Sequence, residues 1–422
     1  MRVRSPFSVC FAVFTVVLGT VLPAGRAGDS WPQFRGMAAG HTEVKDLPLS
    51  WSETEHVKWK TPLPGEGWSS PVVANGQIWM TTALEEGASL HALCCDLATG
   101  KLLIDVEVFK NAVVPPKHAR NSYASPTPIL DGDRVYVNFG SMGTACLSAR
   151  DGHKLWENRE FQVDHQNGPG GSPALFQDKL LLAFDGRDQQ FEIALNKMTG
   201  QLAWKTERSA IPKLQAKPDD MRKSYPTPVI FQIDGQAQTL STGAERLYSY
   251  DPSTGRELWS VDYPGFSNVP LPVLDGGMLF VCTGFMKPEI WGIRAGGAHG
   301  DATASHVVWR QHTAVPDQST PVVVGSRLYM VSSSGIASCL NTATGETLWK
   351  ERISSDVAAS PLAAEGRIYF CDARGKTIVL APGDSFKVLA ENPLADGCMA
   401  SPAVVGKALI LRTKTSLYRI EN

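Results

Sequence analysis

The sequence lacks the short motifs that mark most hydrolases and nucleotide-binding proteins. It contains no GxSxG elbow, no HExxH pair, no Walker loop, and no GxGxxG placed between a strand and a helix. Its nine histidines form no pair at close metal-ligand spacing. Hydrolytic and nucleotide-dependent chemistry therefore has no basis in the sequence, and we expect no metal site.

A strong charge of either sign is also missing. The chain has 40 Lys and Arg against 42 Asp and Glu, a formal net charge of -2. Nucleic-acid binding needs a concentrated basic patch, because phosphate neutralisation supplies most of the affinity. We therefore expect no nucleic-acid partner.

Helical periodicity is scarce, and long apolar runs are confined to the N-terminus. Almost no window places apolar residues at helical spacing over three turns, so a helical solenoid fits poorly. At the N-terminus, Arg2 and Arg4 precede an apolar run from 9 to 22 and small residues that end at Ala27. This pattern predicts a cleaved signal peptide over 1–27, and the run is too short for a membrane span. We expect a secreted or periplasmic protein with no integral membrane segment after cleavage.

What the sequence does contain is a repeated hairpin. Its copies place Asp, Asn or Ser four residues before a Gly and usually Trp four residues after it, as in DPSTGRELW (251–259) and NTATGETLW (341–349). Asp or Asn turns the chain through its own backbone, and Gly supplies positive φ. Cys94, Cys146 and Cys339 each stand six residues before such a Gly, which indicates a small buried strand position. Outside the predicted signal peptide the cysteines number seven, and an odd number excludes a complete disulfide framework.

A second repeated element, Ser or Thr followed by Pro and an apolar run, precedes each hairpin. The anchoring prolines fall at positions 71, 126, 173, 228, 272, 321, 361 and 402. Eight units of this period, each with four short strands, predict an all-β, eight-bladed β-propeller over 55–422. The last unit is one strand short, while HVKWKTPL (56–63) is an unpaired strand whose Trp59 matches the repeat. We expect this N-terminal strand to close the last blade, and residues 28–54 to form an extension that packs on the propeller.

These residues together resemble the PQQ-like propeller repeat family, which contains the quinoprotein dehydrogenases and the outer-membrane assembly protein BamB. The resemblance rests on the (D/N)xxTGxxxW hairpin and the preceding (S/T)PV strand, and WPQFRG (31–36) is also similar to secreted bacterial members. It implies that tryptophans dock between neighbouring blades and clamp the ring. The corresponding residues here are Trp59, Trp156, Trp204, Trp259, Trp309 and Trp349.

Members of such a family divide between enzymes and scaffolds, so the fold does not settle the function. We expect a monomeric, non-enzymatic, BamB-like binding or assembly scaffold of the cell envelope, with a protein or glycan partner and no cofactor. One alternative is an alcohol or sugar dehydrogenase that uses PQQ and calcium, which the adjacent Cys94 and Cys95 favour because alcohol-oxidising quinoproteins carry a vicinal disulfide. Against it, CCDLATG is an ordinary repeat hairpin, and the family's calcium ligands match no motif here. Another alternative is a carbohydrate-binding module.

A binding site is expected on the face where the blade-to-blade loops and the second-to-third-strand loops open together. The long loops there are 109–124, 160–171, 208–225 and 283–311. In this interpretation Trp291 is an exposed aromatic platform, while the loop tyrosines bind a ligand or merely cap the next strand. The candidate residues are His118, Arg120, Asn121, Tyr123, His165, Asn167, Asp185, Arg222, Tyr225, Lys287, Glu289 and Trp291.

Overall fold

The computed structural model describes residues 30–422, which form eight antiparallel sheets of the predicted propeller. The predicted fold class is confirmed. The signal peptide predicted over 1–27 lies outside the described residues. No helix within 30–422 has the length and apolar character needed to cross a membrane.

Each blade has four strands that run from the channel to the rim. The innermost strands are Val72–Ala74, Ile129–Asp131, Ala174–Phe176, Val229–Ile233, Val273–Asp275, Val322–Val324, Leu362–Ala364 and Ala403–Val405. The second strands are Gln77–Leu84, Arg134–Asn138, Lys179–Asp185, Gln236–Gly243, Met278–Cys282, Arg327–Val331, Arg367–Cys371 and Ala408–Arg412. The third strands are Ser89–Asp96, Thr144–Ser148, Gln190–Asn196, Arg246–Tyr250, Ile290–Arg294, Ile336–Asn341, Lys376–Leu380 and Ser416–Ile420. The outer strands are Leu102–Lys110, Lys154–Asn158, Leu202–Glu207, Glu257–Asp262, Val307–Gln311, Thr347–Arg352, Val388–Pro393 and Val57–Pro62.

The remaining elements are short. Two two-residue strands, His41–Thr42 and Gly300–Asp301, add parallel to blades 7 and 4. Within residues 30–422, two α-helices and three 3₁₀ turns lie in connections: Pro212–Gln215, Thr303–His306, Glu85–Gly87, Gly140–Met142 and Asp219–Met221. The second and third strands are almost fully buried, because each sheet packs face to face on both neighbouring blades.

The ring closes through the N-terminal strand, as predicted. Val57–Pro62 is the outer strand of blade 8 and pairs antiparallel with Ser416–Ile420, with Lys60 opposite Tyr418 and Thr61 opposite Leu417. The first and last parts of the fold are thus joined by backbone hydrogen bonds. Closure of this kind removes two free sheet edges from the seam between blades 8 and 1.

Five of the six repeat tryptophans reach into the next blade. Each donates its indole Nε1–H to a carbonyl of the next blade's third-to-outer-strand connection: Trp59 to Leu97 (3.1 Å), Trp156 to Lys197 (2.9 Å), Trp204 to Pro252 (3.1 Å), Trp309 to Thr342 (3.0 Å) and Trp349 to Gly383 (3.0 Å). The indole lies flat on the hairpin glycine, since a Cβ added at Gly200 would sit 2.5 Å from the Trp156 ring. The repeated Gly therefore provides room for the indole as well as the turn.

Trp259 departs from this pattern. Its Nε1–H donates to Gln238 Oε1 of its own blade at 2.8 Å, although its ring is buried in the cluster shared by blades 4 and 5. Blade 5 has no TG hairpin, and its third-to-outer-strand connection instead sends Gly300–Asp301 to pair with Glu257–Asp262. The seam between blades 4 and 5 is therefore held by a strand addition.

Replacing Trp204 with Phe is expected to lower the free energy of unfolding by about 1 kcal/mol, because the buried Pro252 carbonyl loses its donor. Trp259→Phe is the matched control, since Gln238 Oε1 keeps the Ser249 hydroxyl as a donor at 2.8 Å. Chemical denaturation of both variants measures the difference. Equal losses would contradict the role given to the inter-blade bond.

The N-terminal extension crosses the inner strands at one end of the channel. Trp31 exchanges two main-chain hydrogen bonds with Val73, at 2.7 and 2.8 Å, and the Pro32 carbonyl accepts Leu130 N–H at 2.8 Å. The buried Arg35 guanidinium donates to the carbonyls of Pro361 (3.1 Å) and Pro321 (3.2 Å), on the far side of the ring. The WPQFRG segment thus spans four blades from the inside.

Candidate functional site

A ring of hydroxyl groups surrounds the central channel at the start of the inner strands. We name it the hydroxyl belt; its members are Ser70, Thr127, Ser172, Thr227, Thr320, Ser360 and Ser401. Each side-chain oxygen accepts the main-chain N–H of the equivalent residue in the preceding blade, at 2.9 to 3.0 Å. The repeated Ser/Thr before Pro therefore ties neighbouring blades together around the axis.

The belt is interrupted at blade 5, and its hydrogen bonds show which proline anchors blade 2. Blade 5 contributes Leu271, whose N–H donates to Thr320 Oγ1 at 3.0 Å but which has no hydroxyl to offer Thr227. In blade 2 the anchor is Thr127–Pro128, and the expectation of Pro126 is wrong. Ser125 instead donates to Asn121 Oδ1 within the preceding loop, at 2.6 Å.

Above the belt lies a central cavity of about 520 Å³. Phe34 of the N-terminal extension and six belt residues line its inner end, and the loops of the predicted face line its mouth. Five candidate residues meet around it: His118, Arg120, Asn121, Asn167 and Tyr225. Trp68 and Phe285, which were not among the candidates, also line the wall.

Hydrogen bonds and one ion pair tie the mouth together. Arg120 NH2 lies 2.6 Å from Asp356 Oδ1, which joins the loop before blade 2 to the loop before blade 7. Trp68 Nε1 donates to the Arg120 carbonyl at 3.0 Å, and Asn121 Nδ2 donates to the Asn167 carbonyl at 2.7 Å. The ion pair is partly exposed, so its net contribution is small. It can open for a ligand at little cost.

The two loop tyrosines and Arg222 position the loops. Tyr225 Oη donates to the His165 carbonyl at 2.7 Å, Tyr123 Oη donates to the Pro115 carbonyl at 2.9 Å, and Arg222 NH2 donates to the Gln215 and Lys217 carbonyls at 3.0 and 2.9 Å. Both tyrosines thus hold loop segments in place, and the two roles expected of them, ligand binding and strand capping, stay predictions. Only Tyr225 of the three lines the central cavity.

His165 is half-buried as a residue, and both of its ring nitrogens are buried beside a second, smaller cavity of about 290 Å³. Its ring packs near Phe184 and Tyr225, and neither ring nitrogen has a hydrogen-bond partner within the described part of the chain. Burial lowers the pKa of His165 to about 4, so the imidazole is neutral at pH 7. The ring does not reach the central cavity, and its role there is limited to the carbonyl that holds Tyr225.

Trp291 is buried, which contradicts its assignment as an exposed platform. It is 4% exposed, donates its Nε1–H to Glu289 Oε2 at 2.7 Å, and lies under the Arg310 guanidinium at 4.2 Å. It is the third-strand residue of blade 5 and faces the core shared with blade 4, because strand alternation turns it inward. Lys287 is exposed on the loop that carries Phe285, while Glu289 orients the buried indole.

Asp185 is also buried, in a charge cluster between blades 3 and 4. Arg208 Nε donates to Asp185 Oδ1 at 2.6 Å, and Arg208 NH2 donates to Ser241 Oγ at 2.8 Å. Glu192 Oε2 lies 3.9 Å from Arg208 NH1, and both carboxylates are fully buried. Asp185 is therefore no part of the loop rim. The signal missed in the sequence is Glu192 within the apolar strand QFEIALN, where a lone acid needs a buried partner.

This cluster predicts a distinctive dependence of stability on pH. Burial raises the pKa of Glu192 from 4.5 to about 7, so Glu192 lowers stability as pH rises through that window. Burial lowers the pKa of His165 from 6.5 to about 4, so His165 lowers stability as pH falls through its window. The two effects oppose each other between pH 4.5 and 6.5.

Glu192→Gln is expected to remove the loss of stability that Glu192 causes as pH rises, and to leave the effect of His165 unchanged. The variant should gain stability relative to wild type above pH 7, and its stability should fall steadily as pH drops from 6.5 towards 4. Urea denaturation across pH 4 to 8 measures both slopes. A variant whose pH profile parallels that of wild type would contradict the assignment.

The dehydrogenase alternative places Cys94 and Cys95 beside a quinone, and the positions of these two residues do not fit that role. Cys94 and Cys95 are buried in the third strand of blade 1, belong to different core clusters, and do not line the central cavity. Burial raises the pKa of Cys94 to about 12, which makes it a poor thiolate. Within residues 30–422, no group of three or more His, Cys, Asp or Glu side chains could hold a metal ion.

The matched family fits the propeller and its repeats. The family model described as outer membrane protein assembly factor BamB matches residues 45–162, 191–299 and 298–386. The chain belongs to this family. The resemblance inferred from the hairpin and (S/T)PV motifs is confirmed.

Relatives and solved structures agree with this placement. The outer membrane protein assembly factor BamB of Alkalilimnicola ehrlichii is 24% identical over 211 residues, 50% of this chain and 50% of that protein. The chain thus spans about half the length of the curated relative it matches. BamB from Moraxella catarrhalis has a TM-score of 0.59 at 13% identity, covering 86% of this chain and 99% of that one. Quinohemoprotein alcohol dehydrogenase from Comamonas testosteroni has a TM-score of 0.65 at 12% identity, covering 93% and 80%. At such identities the structures show a shared fold alone.

Proposed function

We propose that this protein is a non-enzymatic binding scaffold of the cell envelope, similar in role to an outer membrane protein assembly factor, which binds a protein partner on its loop-rich face. The observation that carries the proposal is the match of the BamB family across most of the blades. The export that this role requires rests on the N-terminal pattern of the sequence.

The loop face supports a protein partner. Phe285 is 47% exposed at the cavity mouth, and the neighbouring Met286 is 62% exposed. On the loop 109–124, Val113 is 85% exposed. Aromatic and methionine side chains are enriched at the cores of protein interfaces, and solvated apolar side chains next to a cavity are typical of such surfaces.

Site-specific photo-crosslinking in the source cell tests this surface. A photoreactive side chain is placed at Met286 or Val113, and matched controls carry it at Met198 and Leu103, which are 51% and 49% exposed on a hairpin and an outer strand. We expect both loop positions to form adducts with the same envelope protein, identified by mass spectrometry. Equal adducts at the control positions would overturn the assignment of the face.

The dehydrogenase alternative has a direct test on the same purified protein. Titration with PQQ and calcium, followed by tryptophan fluorescence and then dye reduction with alcohols and aldoses, is expected to show no saturable binding. Micromolar binding with turnover would overturn the scaffold proposal. The carbohydrate alternative loses the platform assigned to Trp291, since that ring is buried.

A further inference from the structure

The hydroxyl belt has unused hydrogen-bond donors that line the central cavity. Each belt oxygen accepts one main-chain N–H, yet none of the seven hydroxyl protons has an acceptor within residues 30–422. Ser70, Thr127, Ser172, Ser360 and Ser401 are each at most 6% exposed, and all five line the cavity. A buried hydroxyl normally satisfies its donor as well as its acceptor. The belt is therefore suited to a group that is rich in lone pairs.

Two buried arginines flank the belt without a carboxylate partner. Arg35 bonds only to carbonyls, two of which belong to Pro321 and Pro361, the residues directly after belt members. Arg412 NH1 donates to the Ser69 carbonyl (3.0 Å), Ser69 Oγ (2.7 Å) and the Thr81 carbonyl (2.9 Å), beside belt residue Ser70. No salt bridge joins either guanidinium to an acid of residues 30–422, and both Nε atoms have no partner there.

Burial without a counter-charge is costly for a guanidinium. It lowers the pKa of both Arg35 and Arg412 to about 9. Both remain protonated at pH 7, so two positive charges without a carboxylate partner lie behind the belt, next to Ser70, Thr320 and Ser360 but outside the lining of the cavity. Electrostatic interactions are weakly screened in a buried site. These two positive charges therefore favour binding of an anion at the belt.

The other charges around the cavity do not cancel this field. Lys223 pairs with Asp220, and Arg120 pairs with Asp356, so each of these pairs is neutral. Asp317 is the remaining acid among the lining residues, and its Oδ1 accepts the Ser333 hydroxyl. Arg35 and Arg412, which lie behind the lining, outweigh this one acid, so the balance of charge next to the belt is positive.

We propose that the inner end of the central cavity is an oxyanion site, in which the hydroxyl belt donates to a carboxylate or phosphate group of the bound ligand. The inference rests on the proposed binding function and adds the chemical group that the partner or ligand presents. Phe34 closes the site from below, and the amide and aromatic side chains of the wall surround the rest of the ligand. The surface residues Phe285 and Met286 are not required for it.

Calorimetric titration of the mature protein with inorganic phosphate and with acetate, at constant ionic strength, tests the site. We expect saturable binding of one anion per chain, and no binding of acetamide, which has nearly the shape of acetate without its charge. A preference for phosphate or for acetate distinguishes a phosphorylated ligand from a carboxylate ligand, and either preference supports the site. Binding of acetamide equal to that of acetate would overturn it.

A matched pair of variants ties the anion to the belt. Thr127→Val removes the hydroxyl at similar volume, whereas Thr127→Ser keeps it. A hydrogen bond to a charged group contributes about 1.5 to 3 kcal/mol, so Thr127→Val should weaken anion binding at least about tenfold, while Thr127→Ser stays near wild type. Equal affinities in the two variants would refute the role of the belt.

Leu271→Ser guards against a folding defect in Thr127→Val, which also loses an inter-blade bond. It fills the gap in the belt and adds a donor, so anion binding should become tighter, and unchanged or weaker binding would count against the proposal. The crosslinking at Met286 and Val113 is independent of these variants. Loss of anion binding with intact crosslinking would reject the oxyanion site alone, and the reverse result would reject the partner surface alone.

Discussion

A protein in which a Gly/Ser segment of equal length replaces Val57–Pro62 is expected to lose its cooperative unfolding transition. The replacement removes the outer strand of blade 8, exposes the edge of Ser416–Ile420, and removes Trp59 from the hairpin of blade 1. The loss of the partly buried Trp59 indole adds to the loss of the strand's main-chain hydrogen bonds, and many domains have only about 5 to 15 kcal/mol in total. The seam between blades 8 and 1 should therefore open.

Thermal and chemical denaturation measure this effect, and two controls isolate its cause. The same Gly/Ser replacement of Lys154–Asn158 in blade 2 leaves the chain ends joined, so a lowered but still cooperative transition is expected. A synthetic peptide HVKWKTPL added to the altered protein should restore the transition, and the same peptide with Trp59→Ala should not. An unchanged midpoint in the Gly/Ser protein would show that closure does not hold the ring.

Arg208→Met is expected to lower the free energy of unfolding by about 3 to 5 kcal/mol at pH 7.5, because it leaves Asp185 and Glu192 buried without a cation. Denaturation at pH 7.5 and pH 5 measures it, and the loss should shrink at the lower pH, where the carboxyl groups bind protons.

A charge-free triple variant provides the control for this cluster. Asp185→Asn, Glu192→Gln and Arg208→Met together remove every formal charge at similar volume, so most of the stability should return. If the triple variant is as unstable as Arg208→Met, packing of the arginine side chain explains the loss, and the electrostatic account is wrong.

The repeats made the fold predictable from the sequence, because most blades encode the same hairpin and six of the eight carry the clamp tryptophan. The unpaired strand around Trp59 predicted the closure of the ring, because its tryptophan matches the repeat. Contacts between blades were harder to predict where a repeat degenerates, as at Trp259, whose partner is Gln238 of its own blade. The choice between Pro126 and Pro128 depended on a two-residue shift that a repeat of variable length does not resolve.

The site was predictable only in part, since loop sequence does not determine which way a side chain faces. His118, Arg120, Asn121, Asn167 and Tyr225 do meet at the cavity. Trp291 and Asp185 are instead on strands that end near these loops, where alternation buries them. A Ser or Thr stands before the anchoring proline in seven of the eight blades, but these hydroxyls meet only when the blades close around one axis. Arg35 and Arg412 are more than 370 residues apart in sequence, and each comes to lie beside belt residues for the same reason.

The pairing of Val57–Pro62 with Ser416–Ile420 also determines the order in which the protein can fold. Strand Val57–Pro62 emerges from the ribosome early, whereas its partner is the last strand of the ring, so the contact has nearly the largest sequence separation the fold allows. Contacts of this kind form slowly because the intervening chain must be ordered first. Blades 1 to 7 can assemble one after another, but the edge of blade 8 stays open until the end of synthesis. That interval is when a nascent chain is most exposed to pairing with a neighbouring copy.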